Sequence, residues 1–380
     1  MTVVHLRRAE PGLLVIAPER APLVIDAAPG LDVLVLDVVG GHLSWSLFDD
    51  ESVPAAVLDD VEAAQDWVWA VYGEEVAAAV ADNRSGPLTA VPARRAPAAA
   101  LRRLAYAHWA SRWWPASTLD GIPALDPRLL VEEIEALSEQ CEMMVDGEID
   151  ELSRELDADT SLGISDGGGA APGMGGSSSD MFDPSDGRDV EGDSAPIGRT
   201  PGRAEDYALA AGGADTSDGL IVARGSGGWN WRRCPPGILD AGENAVSWQV
   251  TRAAGESTVR VSVVASPDCR GVVPEHLRPY AWVRPADAPP ARTLSPDAEF
   301  STPLRRQGDA WTGSVRLPGA PESSPQITIF VPGAGPADPP EDESTTRNRI
   351  RRFARARLTE STGDQRLTAE TAAAETDEDF

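Results

Sequence analysis

Apolar residues follow two different periods along this chain, and each change of period predicts a change of structure. From Leu13 to Phe48 they come in short runs, LLVIAP, PLVIDA, LDVLVLDVV and HLSWSLF, separated by Ala-Pro, Pro-Gly and Gly-Gly pairs. That punctuation predicts strands. The Gly40-Gly41 pair suits a two-residue hairpin turn, so the strands are expected to be antiparallel and to form a small meander. After Pro54, Leu58, Val61, Trp67, Val68 and Val71 recur at spacings near 3.6, which predicts a helix broken at Gly73.

A second helix is expected from about Pro97 to Trp114, opened by a proline suited to the first turn and stopped by Pro115. A third begins with Asp126 as N-cap and Pro127 in the first helical position, and its Leu130, Ile134, Leu137 and Cys141 share one face. Strands first and helices afterwards predict an α+β domain over residues 1–150.

From about Asp146 to Thr200 the chain turns to Gly, Ser, Asp and Pro. It has few apolar side chains to offset an ordering entropy of roughly 1–2 kcal/mol per residue. Residues 151–205 are therefore expected to form a disordered acidic linker. Beyond Asp218 a period of 2 returns in LIVAR, WNWRR, AVSWQV, TVRVSVVA, YAWVRP, AWTGSVRL and QITIFVP. Seven short strands at near-regular spacing predict an all-β antiparallel sandwich over residues 206–336. A tail over 337–380 holds an arginine-rich amphipathic helix, 346–358, and the acidic end ETDEDF.

Composition changes the picture of partners. The 380 residues carry a formal charge of −28, which argues against nucleic acid or an anionic membrane as the main partner. Lysine is absent while arginine, alanine, glycine and proline abound, a bias that resembles a high-GC bacterial genome. Without lysine the chain has no Walker-type phosphate loop, Schiff base or kinase-type nucleotide lysine. Cys141, Cys234 and Cys269 are too widely spaced for a metal knuckle and odd in number for a disulfide framework, so they are read as reduced. The first residues lack the design of a secretory signal, and no apolar stretch reaches the roughly 20 residues of a membrane span. Together these features predict a cytoplasmic protein.

Candidate chemistry is sparse. Gly163-Ile164-Ser165-Asp166-Gly167 has the letters of a nucleophile elbow but lies among Gly, Ser and Asp, without the strand and helix that lift such a serine toward a base. Asp37 and His42 flank the Gly-Gly turn, with no serine or cysteine placed to complete a relay. His5, His42, His108 and His276 are scattered, and the aspartates of 183–187 and 215–219 lack the ligand spacing of an EF-hand. No catalytic residue, cofactor site or metal site follows.

Three features point instead to binding. Tyr106, Trp109 and Trp113, at i, i+3 and i+7, make an aromatic helix face that suits either core or a protein interface. In Trp229-Asn230-Trp231-Arg232-Arg233, read as a strand, two tryptophans beside two arginines resemble a stacking platform for sugars or bases, unless the tryptophans are core. Arg347, Arg349, Arg351, Arg352, Arg355 and Arg357 concentrate charge on one helix, with Ile350, Phe353, Ala354 and Leu358 on one side. Such a helix docks on a partner groove or on the protein's own acidic linker or tail. The expected role is a non-enzymatic protein–protein interaction or adaptor protein, tethering partners in a bacterial multi-protein system. The competing expectations are an acid/base hydrolase built from scattered carboxylates, and a carbohydrate- or peptide-binding module on the sandwich.

Overall fold

The computed structural model describes residues 2–9, 12–25, 28–49, 53–93, 95–145, 219–269, 271–284, 295–318, 324–335, 343–359 and 366–377. Helices and antiparallel sheets are mixed, so the fold is α+β. The linker expected over 151–205 and the elbow-like serine lie outside the described residues.

The first half is built on a six-stranded antiparallel sheet. Its strands are β1 (Thr2–Ala9), β2 (Leu13–Pro18), β3 (Val33–Val38), β4 (Gly41–Ser46), β5 (Ala55–Leu58) and β6 (Gly86–Ala90), in the order β3-β4-β5-β2-β1-β6. A simple meander was expected, and three observations correct it. First, Ala55–Leu58 starts no helix: it is a strand inserted between β4 and β2, all four residues buried. A four-residue apolar run buried on both faces carries no period, so spacing cannot tell it from helix. Second, PLVIDA forms no strand over its described residues 22–25. Segment 22–25 is held to β4, where the Ser44 hydroxyl donates to the Pro22 carbonyl at 2.6 Å and His42 Nε2 lies 2.8 Å from the Val24 oxygen. Third, β1 and β6 were not anticipated, because their apolar positions are interrupted by histidine, arginines and a proline.

Asp37 and His42 do face each other in the β3–β4 register, and the tight turn between those strands is Val39-Gly40, with Gly40 at φ +77°. Helices α1 (Gln65–Tyr72) and α2 (Glu74–Ala81) flank the anticipated break at Gly73, whose φ is +88°. A Cβ there would lie 2.0 Å from the Val91 carbonyl oxygen, so only glycine fits. Helix α3 (Arg95–Trp113) follows, and α4 (Pro127–Val145) starts as expected, its Arg128 N–H donating to Asp126 Oδ1 at 2.8 Å.

The second half holds two sheets. Strands β7 (Leu220–Gly227), β8 (Val246–Ala253), β9 (Glu256–Val264), β12 (Arg305–Gln307) and β13 (Ala310–Leu317) make five strands in the order β12-β13-β9-β8-β7. Strands β10 (Tyr280–Arg284), β11 (Ser301–Pro303) and β14 (Gln326–Phe330) make three, in the order β11-β10-β14. Alternation holds along the middle of β9, where Val259, Val261 and Val263 are fully buried and Thr258, Arg260 and Ser262 are partly or fully exposed. WNWRR forms no strand. Trp231–Arg233 is a 3-10 turn, capped by the Asn230 side chain accepting from the Arg232 N–H at 3.0 Å.

Two C-terminal helices complete the fold, α5 (Ser344–Thr359) and α6 (Thr368–Asp377). The second was not anticipated, since alanines and acids alone carry little apolar pattern. Buried apolar side chains of both halves, with Ile350 of α5 and Leu367, Ala369 and Ala373 at α6, belong to one continuous cluster.

Candidate functional site

Helix α5 buries Arg347, Ile350, Arg351 and Ala354, at i, i+3, i+4 and i+7. A stripe at that spacing is the face a helix turns to its seat. Two of its four members are arginines, so the charged side chains expected on display are instead part of the packing. Ile350 and Ala354 are fully buried, and Arg347 and Arg351 are 6% and 3% exposed.

The seat is made from both halves of the chain. On one side α3 supplies its aromatic face. The Phe353 ring meets Tyr106 at 6.0 Å, Trp109 at 6.3 Å and Phe48 at 6.0 Å, all nearly edge-on. Such pairs contribute about 0.5–1.5 kcal/mol each beyond area burial. Tyr106 and Trp109 are buried, and the Trp109 indole N–H donates to the Leu31 carbonyl at 2.7 Å. On the other side, Glu243 accepts from Arg347 at 3.2 Å and from Arg351 at 2.7 Å, and the Ala241 carbonyl accepts from Arg351 at 2.9 Å. Asp120, from the first half, lies 3.4 Å from Arg351 and accepts from Arg355 at 2.7 Å.

Arg232 makes the link at the start of α5. Its guanidinium is buried, binds both carboxylate oxygens of Glu343 at 2.9–3.1 Å, and donates to the Pro29 carbonyl at 2.7 Å. It also lies 5.9 Å from the ring of the half-buried Trp113, which Arg112 covers at 4.9 Å. At the far end, Glu370 is fully buried and accepts from Tyr106 at 2.6 Å and from Arg357 at 2.6 and 3.0 Å. Burial, and then the Glu370 charge, raise the Tyr106 pKa well above its ordinary value. For Arg357 burial opposes the charge, but the Glu370 and Tyr106 bonds outweigh it and the pKa rises.

All but Arg352 of the remaining predicted site residues also go to structure. Trp229 and Trp231 are buried: the Trp229 indole N–H donates to the Asp240 carbonyl at 2.7 Å, and Arg351 lies 5.8 Å from the Trp231 ring. The hollow beside them has room for only about 30 Å³, one water rather than a sugar or a base. Arg233 is half-buried, its carbonyl accepting from the Val331 N–H at 2.8 Å. Arg352 alone of the predicted arginines points out exposed with no recorded contact among the described residues, while Arg355 is exposed yet held by Asp120. The structure thus brings Tyr106, Trp109, Trp113, Trp231, Arg232, Arg347, Arg351 and Arg355 together around α5, as one internal seat.

A second cross-link needs no arginine. The fully buried Asp240 accepts from the Ser117 hydroxyl at 2.6 Å, the Thr118 N–H at 2.7 Å and the Gly242 N–H at 2.8 Å. Burial raises its pKa despite these bonds. The thiols are raised as well, Cys141 up to about 11 and Cys234 and Cys269 in the same direction, all by burial, so none is poised as a nucleophile. Among the described residues no three His, Cys, Asp or Glu side chains come together as metal ligands, and no helix is long and apolar enough to cross a membrane.

What remains on the surface was missed by sequence reading. Among the described residues strand β7 is an edge of the five-stranded sheet, eight residues long, and its Leu220, Ile221 and Val222 are 71%, 55% and 44% exposed. The opposite edge, β12, is three residues long with two arginines. Short, charged edges resist pairing with other chains, whereas long apolar ones invite it. The β7 edge carries neither proline nor acid, and its one irregularity is a bulge at Val222. The sequence signal was present, in three consecutive apolar residues where one wet face demands alternation, but which strand ends a sheet is a tertiary fact. No known family, curated protein or solved structure matches this chain.

Proposed function

We propose that this chain works by binding other proteins, as an adaptor in a bacterial multi-protein system, and that a partner adds a strand to the free edge of β7. The reading includes two folded halves, the second a sandwich of the five- and three-stranded sheets, in a cytoplasmic protein. The observation that carries it is the contrast between the two edges of one sheet, β7 long and apolar, β12 short and charged. Strand addition supplies backbone hydrogen bonds along the edge and takes Leu220, Ile221 and Val222 out of water. Full burial of one such side chain is worth about 1.5–3 kcal/mol, and with about half of each already buried the three add a part of that to the backbone bonds.

The arginine helix supports this choice of surface indirectly. Its buried face is occupied within the chain, so only its outer side, with Asn348, Arg349, Arg352 and Arg355, is left to a partner. The test is affinity purification of the tagged full chain from its native host. A stoichiometric partner is expected with the natural chain and its loss with Ile221→Asp/Val222→Asp, which leaves exposed positions exposed but puts carboxylates under any added strand. A partner retained by that double variant would overturn the reading.

A further inference from the structure

Resting on the reading of β7 as a binding edge, we infer that the strand it takes is acidic: an extended protein segment with carboxylates on alternate residues. The outer face of the five-stranded sheet is basic in a chain of net charge −28. The cross-strand row that begins on β7 runs Arg224, Gln249, Arg260 and Ser314, and Arg316 and Arg305 stand on the same face of β13 and β12. All four arginines are exposed. The single acid in that face is Glu256, at the end of the sheet. The buried arginines of the α5 seat are spent on internal carboxylates, whereas Arg224, Arg305 and Arg316 form no ion pair among the described residues.

Strand geometry turns this face into a specificity device. A strand added to β7 lies about 4.8 Å away and places every second side chain on the basic face, the first of them beside Arg224. An opposite-charge pair across strands contributes roughly 0.2–1 kcal/mol, and like charges there are unfavourable. At physiological salt charges are screened beyond about 8 Å, so an added strand feels chiefly Arg224, and neither the chain's overall negative charge nor the more distant arginines of β9, β13 and β12 override that pairing. A peptide fits better than a nucleic acid, since β7 offers alternating backbone donors and acceptors and an apolar start, whereas phosphate oxygens can only accept.

The experiment measures binding of short blocked peptides to the full chain by fluorescence anisotropy. The probes are an alternating Val/Glu peptide, a Val/Gln peptide, the Val/Glu peptide N-methylated at every residue, and a single-stranded oligodeoxynucleotide. The acidic peptide is expected to bind about threefold more tightly than the neutral one, to lose that advantage against Arg224→Gln, and to keep it against the exposed helix control Arg352→Gln. Equal binding of the acidic and neutral peptides would overturn the charge inference while leaving the edge intact. Undiminished binding of the N-methylated peptide would instead overturn the edge reading itself, since that peptide cannot join a ladder. Tighter binding of the oligonucleotide would overturn the choice of an acidic peptide in favour of phosphate.

Discussion

Replacing Arg351 by alanine is the sharpest perturbation of the internal seat. The guanidinium is 3% exposed and holds three groups at once: Glu243 at 2.7 Å, the Ala241 carbonyl at 2.9 Å and Asp120 at 3.4 Å. Removing one member of a fully buried ion pair costs about 3–5 kcal/mol. Here the carboxylates are not fully buried, Asp120 being 26% and Glu243 34% exposed, so water recovers part of the loss. The Ala241 carbonyl left without its donor adds about 1 kcal/mol or more. Together these give a destabilisation of about 3 kcal/mol. Urea denaturation of the full chain measures it. With a slope near 3 kcal/mol per molar, the midpoint should fall by about 1 M. Arg352→Ala, on the same helix but exposed, should shift it by less than about 0.2 M. Equal small shifts for both would refute the view that α5 is held by its buried arginines.

Three other outcomes follow. Asp240→Asn removes a carboxyl whose pKa is raised in the folded state. The stability this acid contributes is fully present below its unfolded value of about 3.9 and lost as pH rises through the folded value. The stability of the natural chain relative to the variant should therefore fall as pH is raised from about 3.5, and a flat difference across chemical denaturation curves would contradict the burial argument. Tyr106→Phe removes the hydroxyl donor to the fully buried Glu370 and should cost about 1–3 kcal/mol in the same assay, whereas no change would mean that Arg357 and the Leu367 N–H satisfy that carboxylate without it. Gly73→Ala should destabilise by more than the about 1 kcal/mol expected for backbone strain, because the new methyl meets the Val91 carbonyl; an unchanged melting temperature would refute the close approach.

Local chemistry was readable in the sequence wherever a single residue type decides it. Asp126 and Pro127 announced the start of α4, and Gly73 the break between α1 and α2. The α3 stripe of Tyr106 and Trp109 was legible as an aromatic face, and its covering by Phe353 decided between core and interface. Where the outcome depended on a distant partner, the sequence misled. The arginines of α5 looked displayed because Glu243, Asp120 and Glu370 lie 13 to 235 residues away from the arginines they hold. WNWRR read as a platform, but Asn230 turned it into a 3-10 bend and Glu343 drew Arg232 inward. The β7 edge was invisible for the same reason, since an apolar strand looks alike in the middle of a sheet and at its rim.

The most direct test of the binding edge is hydrogen exchange on the full chain, alone and with the partner recovered from its host. Amides of residues 220–227 should become strongly protected in the complex, while those of 344–359, already seated, should change little. Protection confined to 344–359, with β7 exchanging as in the free protein, would contradict the account.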